Sequence, residues 1–132
     1  SSIDFITIST LGNAASFGNL TQHGSGDYAT ASCSNSIRGI ITSSSNVQEY
    51  ITISTLGNGI KFGELTTSVK SAGGASASAT RGVFAGAGGP TNAGNAIEYV
   101  TIMTLGNSIS FGNLTYIQTR HGGGLSNGHG GL

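Results

Sequence analysis

One phrase occurs three times in this chain: SIDFITISTLGNAASFGNLT from Ser2 to Thr21, VQEYITISTLGNGIKFGELT from Val47 to Thr66, and AIEYVTIMTLGNSISFGNLT from Ala96 to Thr115. Phe17, Phe62 and Phe111 hold equivalent places, 45 and then 49 residues apart. A period of that size describes a unit that completes its core only by stacking on its neighbours. The repeat constrains what the chain folds into far more tightly than what it does.

In the first copy Ser1 to Ile8 reads as a strand, with Ile3, Phe5 and Thr7 on one face and Asp4, Ile6 and Ile8 on the other. Later copies set Tyr50 and Thr52 against Ile51 and Ile53, and Ile97, Tyr99 and Thr101 against Val100 and Ile102. Apolar residues on both faces predict a sheet covered on both sides. Gly12-Asn13, Gly57-Asn58 and Gly106-Asn107 then read as tight hairpin turns, because Gly followed by Asn supplies the positive φ such turns require. The returning strand carries Phe17-Gly18, Phe62-Gly63 or Phe111-Gly112 and closes on Leu-Thr. The three phenylalanines are expected to be equivalent core sites, each packed between adjacent units.

Between the copies lie segments richer in small residues, including ATASCSNSIRGIIT, SAGGASASATRGVFAGAGG and HGGGLSNGHGGL. Each reads as two short strands joined by a Ser/Asn/Gly turn, with Arg38-Gly39-Ile40 and Arg81-Gly82-Val83 opening the second strand. Small side chains suit strands that crowd together. One repeat is then about four short strands, the content of a propeller blade rather than of a solenoid coil. The expected fold is all-β: a β-propeller of four-stranded blades, with a half-blade over 1–21, blades over 22–66 and 67–115, and a half-blade over 116–132. About three blades are too few to close a ring, so the terminal half-blades are expected to complete each other between chains or with flanking sequence. Two copies would supply about six blades.

Composition narrows the function. Charged residues are 8% of the 132, against about a quarter in ordinary domains. Five Lys/Arg balance five Asp/Glu, so the basic stripe of a nucleic-acid binder is missing. No apolar run reaches the ~20 residues that span a bilayer, and no signal peptide is read. The chain opens on Ser1 rather than Met, which fits processing or a piece of something longer. Cys33 is the only cysteine, so an intrachain disulfide is excluded, and a lone Cys among small strand residues reads as a buried small hydrophobe.

Candidate chemistry is sparse. Asp4, Glu49 and Glu98 are equivalent, and an acid needed once per repeat reads as a structural partner rather than a catalyst. Arg38 and Arg81 recur beside Gly and are expected to pair with those acids between blades, or to act as ligand clamps. His23, His121 and His129 raise the question of a metal, but His121 and His129 are eight apart in a glycine-rich segment with no Cys or carboxylate close to either, so no metal and no cofactor is expected. Gly122-Gly123-Gly124 does not lead into the Lys-Ser/Thr of a phosphate loop, and no serine sits in a nucleophile elbow. Asn19 and Asn113 match a glycosylation sequon but share their place with Glu64, which reads as a polar repeat position.

The order of elements resembles the kelch repeat: Arg120 after an outer strand, two small-residue strands, the diglycine Gly88-Gly89, Asn95, the acidic-aromatic pair Glu98-Tyr99, then an aromatic on the last strand. Phe stands where kelch has Trp. The wording, IEYVTI-T-GN-FG-LT with RGVFAGAGG between copies, resembles kelch-like repeats in virion structural proteins of marine tailed phages, including cyanophages. That resemblance implies a non-enzymatic structural or interaction protein, a propeller module on a phage tail, fibre or capsid surface with a part in host attachment. Its implied location is the virion surface, or secretion as the alternative. Its implied partners are copies of itself or flanking propeller sequence, other virion proteins, or a host-surface glycan, without nucleic acid or membrane insertion. The alternative function is a carbohydrate-binding lectin propeller. Tyr28 and Tyr116 would stack on sugar, with Arg38, Arg81 and His121 as further ligand-binding candidates.

Overall fold

A computed structural model of the chain describes residues 1–23, 31–42, 46–66, 73–87, 94–118 and 122–126. Among these residues there are ten strands and no helix. Strands β1 (Ser2–Phe5) and β2 (Ala15–Asn19) form a hairpin. Strands β3 (Ser32–Ser34), β4 (Arg38–Thr42), β5 (Val47–Thr52) and β6 (Ile60–Glu64) form a four-stranded sheet in chain order. Strands β7 (Gly74–Ala77), β8 (Arg81–Ala87), β9 (Gly94–Thr101) and β10 (Ile109–Gln118) form another. Every pairing is antiparallel. The all-β architecture agrees with the sequence. The three sheets do not close into a ring.

Local chemistry sets the inner hairpins. Asn35 Oδ1 accepts the amides of Ile37 and Arg38 at 2.9 and 2.8 Å, an Asx turn that reverses the chain between β3 and β4. Ser78 Oγ does the same for Thr80 and Arg81 between β7 and β8. In the outer hairpins an aromatic pair recurs with one geometry: Phe5–Phe17, Tyr50–Phe62 and Tyr99–Phe111 each meet edge to face with centroids 6.2 Å apart.

The outer turn is not where Gly-Asn predicts it. The chain reverses before it, at Thr-Ile-Ser-Thr or its equivalent: the Thr10 amide donates to Thr7 O, Thr55 to Thr52 O, and Thr104 to Thr101 O. The Leu-Gly-Asn that follows leaves its own hairpin and lies along the previous repeat. Gly57 and Gly59 donate to Phe17 O and Asn19 O at 3.0 and 2.8 Å, and Gly106 and Ser108 donate to Phe62 O and Glu64 O at 3.1 and 2.9 Å. Gly-Asn is thus a docking segment. It covers the outer edge of β2 or β6, which would otherwise present unpaired backbone groups.

That docking gives the stack a direction, and it corrects two expectations of equivalence. Phe17 and Phe62 are 8% and 3% exposed, but Phe111 is 56% exposed. The first two are covered by the following repeat, whereas no following repeat covers Phe111 among the described residues. The opposite face runs the other way: Ile8 is 95% exposed, Ile53 44%, and Ile102 0%. Ile102 lies close to Gly82, and its carbonyl accepts Arg38 Nη1 from the preceding sheet at 2.9 Å. Two-sided coverage therefore holds only where a neighbouring sheet is present. The buried cluster of Ala31, Ile40, Phe62, Leu65, Phe84, Val100 and Ile102 lies in the two four-stranded sheets and the segments that lead into and out of them.

Candidate functional site

The recurring polar residues converge on the seam between repeats. Asn58 Oδ1 accepts the Asn19 amide at 2.9 Å, and Asn107 Oδ1 accepts the Glu64 amide at 3.1 Å. A bulge in the outer hairpin, between Gln48 and Glu49 in the second copy, sits beside the acidic residue. Glu49 Oε1 accepts the Thr21 amide at 2.8 Å and the Thr21 hydroxyl at 2.7 Å. In the next seam Glu98 accepts the Thr66 amide at 2.9 Å, the Thr66 hydroxyl at 2.6 Å, and the Ser108 hydroxyl. Gly18 and Gly63 complete the seam by close approach: a Cβ on either would fall on the carbonyl oxygen of Gly57 or Gly106.

Glu49 is fully buried, with His23 Nδ1 2.6 Å from its other oxygen. Burial pushes this carboxyl up, yet the Thr21 amide and hydroxyl, the Gln22 amide and the nearby His23 outweigh it and hold it below its ordinary 4.5. The folded chain therefore binds this proton less tightly than the unfolded chain does. The stability from Glu49 is complete above 4.5 and is lost as the pH falls through the lower folded value. Urea midpoints measured from neutral pH into acid should drop over that range in the wild type. Glu49→Gln should show a shallower drop, and parallel profiles would contradict this assignment.

The arginines do not meet the acids as the sequence suggests. Arg38 lies over the Tyr50 ring at 4.1 Å and Arg81 over the Tyr99 ring at 4.4 Å. Threonine, not arginine, grips the acids, because the Thr amide and hydroxyl lie at the end of the edge strand that the bulge faces. Tyr116 is exposed on β10, at the end of its sheet opposite Arg81: β10 pairs Gln118 with Gly94, while β8 pairs Arg81 with Thr101. Tyr28, His121, His129 and the diglycine Gly88-Gly89 lie outside the described residues. The described candidates are therefore not gathered into one site. Asn58, Asn107, Thr21 and Thr66, which do the joining, belong to no catalytic or binding motif, and their recurrence in every copy is the signal the sequence carries for them.

A second feature is shared by the second and third copies. A concavity of about 190 Å³ opens beside Tyr50, Thr52, Thr55 and Asn58, and one of about 160 Å³ beside Tyr99, Thr101, Thr104 and Asn107. Each offers an aromatic wall with hydroxyl and amide groups. Among the described residues, no group of three or more His, Cys, Asp or Glu is placed to hold a metal. Among the described residues, no helix is long and apolar enough to cross a membrane.

Burial pushes the Cys33 thiol up to about 12, so it is protonated at neutral pH. Its sulfur packs where a Cβ on Gly82 would lie, 2.7 Å away. The folded chain should resist alkylation at a pH where the urea-unfolded chain reacts. Equal labelling rates in the two states would contradict this.

Comparison of the chain with protein-family models, curated proteins and solved structures found no match.

Proposed function

We propose that the chain is a non-enzymatic structural and interaction protein, a kelch-like propeller module carried on a virion as part of a tail, fibre or capsid surface. The observation that carries the non-enzymatic reading is the fate of the recurring acids. Glu49 and Glu98 are buried, and each binds the threonine of the preceding repeat. Carboxylates committed in this way hold repeats together and do not face a substrate. The four-stranded meanders support the blade reading, with β3 of one sheet set against β7 of the next. The virion assignment rests on the repeat wording. It is tested by mass spectrometry of purified particles together with antibody labelling of intact ones. Peptides in stoichiometric amount and surface labelling are expected. Absence from the particles would overturn it.

A lectin propeller is the second reading, favoured by the concavity that recurs beside Tyr50 and Tyr99. Tyrosine faces stack on sugar rings, and the Thr and Asn groups beside them suit sugar hydroxyls. A glycan array separates the readings. Saturable binding to one sugar class, lost in Tyr99→Ala, would favour the lectin.

A further inference from the structure

We propose that the chain associates head to tail with further copies of itself, the Gly12-Asn13-Ala14 segment of one copy docking on the Phe111–Asn113 edge of another. The inference rests on the structural reading above and names the partner of that surface. Its basis is a seam made twice, residue for residue, within one chain. At each seam two amides of a Gly-Asn segment donate to an outer strand, the Asn side chain accepts an amide back, and a buried acid accepts the threonine that follows. Both halves of a third such seam are present and unused among the described residues. Phe111-Gly112-Asn113-Leu114-Thr115 repeats the acceptor wording of Phe17 to Thr21, and Leu11-Gly12-Asn13 repeats the docking wording.

The exposures agree with an edge that lacks its cover. Phe111 is exposed where its counterparts are buried, and at the other end Ile8 is exposed where its counterpart Ile102 is fully buried. Nothing lies within 4 Å of a Cβ built on Gly112, whereas the same position on Gly18 and Gly63 is filled by the next repeat's backbone. By equivalence, Gly12 and Ala14 of the second copy donate to Phe111 O and Asn113 O, and Asn13 Oδ1 accepts the Asn113 amide. Asp4, one methylene shorter than Glu49 and Glu98, faces Thr115. Ala14 fits, since Ser108 already carries a Cβ at that place. Arg81 is exposed over Tyr99 as Arg38 lies over Tyr50, and it is placed to donate to Ile8 O as Arg38 does to Ile102 O. The interface is heterologous, so it builds a ring if the rotation closes and a filament if it does not.

The test is sedimentation of the full chain over a concentration series, with variants that block one side each. Asn13→Lys removes the acceptor on an exposed segment. Phe111→Asp puts a charge on the open edge, and Thr115→Glu sets a like charge against Asp4 without touching the aromatic pair. The wild type is expected to form species larger than one chain, and each variant alone to be a monomer with unchanged strand circular dichroism. Asn13→Lys mixed with either tail variant should stop at a pair, because each partner keeps one good side. A wild type that stays monomeric at high micromolar concentration would overturn the proposal, as would variants that assemble like the wild type. So would a monomer whose edge is buried only when another repeat is fused to the same chain. The structural reading fails on different evidence, absence from particles, so the two failures are distinguishable.

Discussion

Truncating Phe62 to alanine should destabilise the chain by about 3–5 kcal/mol, the range for a large aromatic removed from a closed core. Phe62 is 3% exposed and touches Tyr50 edge to face, so its loss leaves a cavity between two repeats. The identical change at Phe111 should cost under about 1 kcal/mol in the monomer, as at an ordinary surface position. Phe111 has the same aromatic partner geometry but an open outer side. Paired chemical-denaturation series under monomeric conditions check this. Equal costs at both sites would show that the following repeat is not what buries the phenylalanine.

The second large effect is expected at Glu49. Replacing it with alanine leaves the Thr21 amide, the Thr21 hydroxyl and His23 Nδ1 without the oxygens they face. His23 is buried and the Thr21 groups are part-buried, and stranding such partners of a buried charged group costs about 2–5 kcal/mol. Asp4→Ala is the matched control: Asp4 is exposed in the isolated chain, and its change should stay within about 0.5 kcal/mol. A Glu49→Ala loss no larger than that of Asp4→Ala would mean that the acid does not join the repeats.

Much of this architecture was legible in the residues, and the parts that were not share one cause. Strand content, antiparallel pairing and the turns that open on Asn35 and Ser78 follow from β-branched runs and Asx chemistry, which are local. Gly-Asn reads as a turn because its local preference for reversal is real. Here the Gly57 and Gly106 amides and the Asn side chains are taken by a neighbour's edge, a non-local fact that no window of sequence contains. The phenylalanines illustrate the same limit. Identical wording at Phe17 and Phe111 gives opposite burial, because burial depends on what stacks next rather than on the repeat itself. Glu49 and Glu98 do bind a neighbouring repeat, but charge alone points to arginine as their partner. The guanidiniums instead lie over Tyr50 and Tyr99, and the threonine that closes each phrase supplies two donors to Glu49 or Glu98.

The account turns on whether Gly-Asn segments dock on the preceding repeat, and native-state hydrogen exchange reads that at single amides. The measurement is made on the Asn13→Lys variant, so that self-association does not cover the first segment. Gly57, Gly59, Gly106 and Ser108 donate across seams and should be protected, while Gly12 and Ala14 should exchange at the rate of open chain. If the four seam amides exchange as fast as Gly12 and Ala14 while the strand amides of β4 and β9 stay protected, the repeats are not joined in this way and the account is wrong.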